Sequence, residues 1–143
     1  MKAALTKHRL DIEYEYDFFL TGISCHEKPY RLCWAINKTL ALEMQLADPL
    51  SIALKKNDLP SDFPLFMQEK QEQDTIVYLI SNKNEKGLLI PEHHQADYFF
   101  IAKGPFNEID FVNMLGGIKE IPFVLMSYRI DPETLKSKQN LLF

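Results

Sequence analysis

The feature that most constrains this chain lies between Pro64 and Lys103, where short apolar runs recur and polar, turn-rich stretches separate them. Pro64-Leu65-Phe66-Met67 and Thr75 to Ser81 read as two strands, with the polar hairpin end Gln68 to Asp74 between them. Asn82-Lys83-Asn84-Glu85-Lys86-Gly87 is a second connection built from turn residues. Gly87 to Ile90 is a short apolar strand stopped by Pro91. Asp97 to Lys103 follows, carrying Tyr98, Phe99, Phe100 and Ile101; it is apolar on both faces, as expected of a strand covered on both sides.

The flanking segments add helices and further strands. From His8 to Phe18, the residues Leu10, Ile12, Tyr14, Tyr16 and Phe18 alternate with Arg9, Asp11, Glu13, Glu15 and Asp17, the period-two signature of a half-buried strand. Phe19 and Leu20 break the alternation and suggest a bend. Ser24 and Glu27 have capping-box spacing, and Pro29 suits a first helical turn. A helix is predicted from there to about Met44, with Tyr30, Cys33, Trp34, Ile36, Leu40 and Met44 as its apolar stripe, widened by Leu32 and Ala35. A short strand is expected near Leu50 to Leu54. Asn107 with Asp110 resembles a helix cap, followed by the stripe Ile109, Val112, Leu115 and Ile118. Phe123 to Ile130 reads as a last strand, and Asp131-Pro132-Glu133 as the start of a short final helix. Clustered strands with few helices predict a single α+β domain over 1–143, with a largely antiparallel sheet of about five to six strands and two main helices packed on it.

Composition narrows the function classes. The 143 residues include 16 Lys and Arg against 20 Asp and Glu, a net charge of −4, and the lysines are scattered among acids. A duplex-binding protein would show a basic footprint, so no nucleic-acid partner is expected. No apolar run approaches the ~18 residues a membrane helix needs, so no membrane partner is expected either. The start lacks a hydrophobic signal core, which makes a cytoplasmic location the default expectation. Cys25 and Cys33 are read as two reduced, partly buried thiols.

The densest set of titratable groups is Glu92, His93, His94 and Asp97. Imidazoles oriented by carboxylates suit acid–base work. Adjacent histidines do not share a metal readily, however, and no nucleophile stands at a known spacing. The plainer reading is a turn between strands whose carboxylates tie down backbone amides. Cys25 at a predicted helix N-terminus suggests a lowered thiol pKa, and Cys25-His26 with Cys33 is an incomplete zinc pattern; neither finds its remaining partners. No metal, cofactor or catalytic residue is therefore assigned. The acidic stripe Asp11, Glu13, Glu15 and Asp17 reads as a solvated sheet face, with a basic partner or divalent cation as the other option. Trp34 and the tyrosines are expected in the core or at its rim. The closing Leu141-Leu142-Phe143 is expected to dock, on its own domain or on a partner.

Ile90-Pro91-Glu92-His93-His94-Gln95-Ala96-Asp97-Tyr98 resembles the signature of the IPExxxVDY family, with Ala96 where that signature has valine. Tyr30-Arg31-Leu32-Cys33-Trp34 and Leu135 to Phe143 resemble further segments of the same family. The resemblance implies a small bacterial domain and supplies no catalytic residues, since the family has no assigned function. Two functional expectations follow. One is a non-enzymatic protein-interaction or scaffold module, contacting an unidentified protein or a second copy as a homodimer. The other is a small-ligand binder or minor enzyme using Glu92, His93, His94, Asp97 and Tyr98.

Overall fold

The computed structural model describes residues 18–141. In chain order these form β1 (Phe19–Cys25), α1 (Pro29–Leu40), β2 (Gln45–Leu46), β3 (Leu50–Ile52), β4 (Ser61–Phe63), β5 (Leu65–Lys70) and β6 (Thr75–Ser81). There follow β7 (Lys83–Asn84), β8 (Gly87–Leu88), β9 (Tyr98–Lys103), α2 (Glu108–Lys119) and β10 (Val124–Ile130). Six strands make one sheet in the order β10-β1-β9-β6-β5-β2. Every pairing in it is antiparallel. The α+β architecture with a mainly antiparallel sheet and two helices is thus the one the strand clustering implies.

β9 explains why both faces of the sheet are covered. Tyr98, Phe100 and Ala102 point into one core, and Phe99 and Ile101 into the other. A one-residue slip in register would exchange the two sets, so the flanking pairs Thr21–Phe100 and Leu79–Phe100 are strongly specified. The first core lies under the helices, where Leu32, Cys33, Ala35 and Ile36 of α1 and Ile118 of α2 meet the sheet. The second is roofed without a long helix, by Phe63 and Leu65, by Leu89, Ile90 and Ala96, and by Leu135 and Leu141 near the C-terminus. Short 3-10 turns at Pro91–His93, Pro132–Thr134 and Lys138–Leu141 shape that roof.

Several expectations change in the structure. The alternating segment from His8, apart from its last residue Phe18, and its acidic stripe lie outside the described residues. The first described strand is instead β1, buried along nearly all its length, and burial on both faces removes the alternation that would have announced it. Ser24 and Cys25 close β1 and cap no helix; the Ser24 hydroxyl donates to the Gln95 carbonyl at 2.6 Å. α1 begins at Pro29 with Lys28 as its N-cap, which makes no side-chain cap bond. It stops at Leu40, short of Met44, because Ala41 turns left-handed and Asn37 grips the Met44 backbone, accepting from its N–H at 2.9 Å and donating to its carbonyl at 3.0 Å.

α2 has the expected reciprocal cap between Asn107 and Asp110, with bonds of 2.8 and 3.1 Å. Its roll differs from the predicted stripe. Phe111 stacks on Phe19 with centroids 4.6 Å apart and goes inward with Ile118, while Ile109 and Val112 face out. Arg129 on β10 fixes the same roll by a bidentate pair with Glu108, both bonds 2.7 Å.

Candidate functional site

The stretch Ile90 to Tyr98 divides between the two faces of the sheet, and Asn82 holds it together. Asn82 is wholly buried. Its side-chain carbonyl accepts from Ile90 N–H at 2.7 Å. Its amide donates to the carbonyls of His93 at 3.0 Å and Ala96 at 2.9 Å. Its backbone N–H donates to Asp97 O, and its carbonyl accepts from Leu89 N–H. A buried loop must satisfy its backbone polar groups somewhere, and one asparagine does most of that here.

The first half of the stretch fastens the roof. Glu92 accepts from both the backbone N–H and the hydroxyl of Ser137, at 2.7 and 3.0 Å. Partial burial pushes the Glu92 carboxyl up, but hydrogen bonds, those from Ser137 among them, outweigh it and leave the pKa below the ordinary glutamate value. His93 meets the Tyr128 hydroxyl through Nδ1 at 3.1 Å. Tyr128 lies over Gly22, its register partner, where an added Cβ would stand 2.7 Å from the ring. His94 is exposed and faces away from this core.

The second half locks the junction from β1 into α1. Asp97 accepts from Cys25 N–H at 2.8 Å and pairs with Lys83 at 2.6 Å. Tyr98 donates to the Glu27 carbonyl at 2.5 Å. Cys25, His26, Glu27, Lys83, Asp97 and Tyr98 border an open cleft of about 380 Å³. Of its polar groups, the Cys25 N–H, Lys83 and Asp97 are engaged with one another, and the Tyr98 hydroxyl with the Glu27 carbonyl. Cys25 is buried at the end of β1, not at a helix N-terminus, and burial pushes its thiol up, the opposite of an activated nucleophile. Burial likewise raises Cys33 to about 11. Both thiols are free. Among the described residues no group of three or more His, Cys, Asp or Glu is placed to hold a metal ion.

The bonds of Glu92 and His93 thus run to Ser137 and Tyr128, those of Asp97 and Tyr98 to the junction from β1 into α1, and the cleft at that junction is lined by Asp97 and Tyr98 but not by Glu92, His93 or His94. Leu141, expected to dock, is wholly buried in the loop-side core with Leu89, Ile90 and Leu135, so its docking is internal. Leu142 and Phe143 lie outside the described residues.

Among the described residues, the most exposed aromatic side chains are on α1. Tyr30 is 66% exposed and Trp34 63% exposed, which places outside two rings expected in the core or at its rim. The predicted stripe of α1 merges two faces. Leu32, Cys33, Ala35 and Ile36 form the buried one. Tyr30, Trp34 and Lys38, spaced four apart, share the outer one, with Arg31 beside them. The Lys38 ammonium lies 5.1 Å from the Trp34 ring centroid, and Arg31 pairs with Glu27 at 3.0 Å. The four-residue spacing was the available signal for this second face.

No family model, no curated protein and no solved structure matches this chain. The likeness to the IPExxxVDY family accordingly rests on residues 90–98 and the two flanking segments themselves. Among the described residues no helix is long and apolar enough to cross a membrane.

Proposed function

We propose that this chain is a protein-interaction module and that the outer face of α1 is its contact surface. The observation that carries the reading is the exposure of Tyr30 and Trp34 on one face of a helix whose other face is fully packed. Large aromatic rings lose much unfavourable hydration when covered, and Trp and Tyr dominate the energetics of protein interfaces. The engagement of Glu92, His93, Asp97 and Tyr98 in internal bonds supports the same reading, since it assigns that stretch to fastening. The small-ligand reading has weaker support, because it needs those groups around one pocket. The IPExxxVDY likeness is carried forward on the same footing, as a proposal that fits a fastening motif.

Self-association has a narrower basis. Among the described residues β10 is one of the two outer strands of the sheet, with Leu125 and Met126 exposed. Its register shifts opposite Ser24 and Cys25, which leaves Leu125 as an extra residue. A bulge of that kind blunts an edge against strand addition, so the helix face is favoured over the strand edge.

The test is affinity purification of the tagged full chain from its own cell, with wild type beside Trp34→Ala and Tyr30→Ala. Both side chains are exposed, so both variants are expected to keep the wild-type melting temperature. Wild type should recover a partner that Trp34→Ala loses. Recovery of the same proteins by wild type and both variants would overturn the assignment of this surface.

A further inference from the structure

We infer that the partner seated on α1 is an acidic peptide segment, one that presents carboxylates beside apolar side chains. This rests on the reading of α1 as a contact surface and names the chemistry of what covers it. The charge on this helix runs against the rest of the chain. The whole chain carries 20 acids and 16 Lys and Arg, yet Pro29–Leu40 contains Arg31 and Lys38 and no acidic residue. Lys28 at the N-cap adds a third cation. Glu27 is the nearby acid, and Arg31 holds it.

The arrangement of these cations matters as much as their number. Successive side chains four apart point the same way, so Tyr30, Trp34 and Lys38 form a row about two turns long. The Lys38 ammonium sits over the Trp34 ring, where it can meet a carboxylate while the ring covers an adjacent apolar group. Arg31 lies over Phe123 at 5.8 Å, which braces its guanidinium at the opposite border of the face. A segment bearing basic residues would meet the Lys38 ammonium as a like charge, since the nearby acid Glu27 is held by Arg31, and a purely apolar one would leave that ammonium unsatisfied when water is excluded. An acidic and apolar segment satisfies both the rings and the cations.

Trp34 is the one tryptophan of the chain, so its emission reports the site directly. Random peptide display on the full chain should select sequences with Asp or Glu next to aromatic or aliphatic residues. Titrating the selected peptide should shift Trp34 emission, with affinity that falls as salt rises. Replacing its acids by the corresponding amides should weaken binding about tenfold or more, and Lys38→Glu in the protein should do the same. Selection of basic or uncharged sequences, or unchanged affinity in Lys38→Glu, would overturn the inference. So would an already buried emission from Trp34 in the free protein, which would show the face occupied by the chain itself or a second copy. If the acidic peptide fails but a cellular partner still depends on Trp34, the charge chemistry is wrong and the surface stands. If both fail, the surface is wrong as well.

Discussion

Two buried polar side chains in this domain have opposite fates. Asn82 satisfies a whole loop, accepting from Ile90 and donating to His93 and Ala96. Asn82→Ala would strand the buried Ile90 N–H and the Ala96 carbonyl, and a single unsatisfied buried group costs about 1–3 kcal/mol. The expected loss is roughly 3 kcal/mol in chemical denaturation. The Ile90 and Ala96 amides should also exchange hydrogen faster than those of β6. An unchanged unfolding midpoint would show that the loop is held by packing alone. Thr21 is the reverse case. Its hydroxyl is buried with no partner among the described residues. Thr21→Val keeps the shape and removes the desolvated group, so stability should stay level or rise by about 1 kcal/mol. A loss larger than that would reveal a partner for the hydroxyl.

At the scale of elements, the C-terminal turns are tied to the Pro91–His93 turn by one carboxylate. The folded pKa of Glu92 is depressed below its ordinary 4.5. Its stabilising contribution is therefore complete above that value and is lost as pH falls through the lower folded value. Melting temperatures of wild type and Glu92→Gln should differ at neutral pH and converge in acid; parallel curves down to strong acid would remove Glu92 as the tie. What could be read from the chain follows the same division. β5, β6, β9 and β10 were legible because turn residues bound their apolar runs, and α2 because Asn107 and Asp110 mark its start. β1 was not, since burial on both faces leaves no period and Gly22 weakens the strand signal. The roll of both helices was hidden too. Periodicity finds apolar residues on a helix but cannot tell a packed face from an exposed one, so Trp34 and Val112 fall within the apolar stripes and yet stand exposed. Of the candidate site, the fastening role of Glu92 and Asp97 was visible as turn chemistry, whereas Asn82, the hub, stands in a polar connection with nothing local to distinguish it.

The described residues place one six-stranded sheet between two unlike covers, helices on one side and loops with two small two-stranded sheets on the other. That asymmetry raises the question of whether the faces unfold together. β9 sends Phe100 into one core and Phe99 into the other, both wholly buried, and its neighbours β1 and β6 do likewise. Backbone pairing therefore couples the covers, and loosening the loop side must disturb strands on which the helices rest. Leu141→Ala tests this far from either helix. Truncating a fully buried leucine costs about 2–5 kcal/mol, the spread reflecting how far the cavity collapses. The expected result is a lower denaturation midpoint with an unchanged slope, and with helix content and β10 amide protection lost together. If α1 kept its wild-type midpoint while the C-terminal turns detached early, the loop cover would be a separate unit. The interaction face on α1 would then be independent of the motif that fastens the other side. Coincident transitions mean instead that every fastening bond from Asn82 to Glu92 also steadies the helix that presents Trp34.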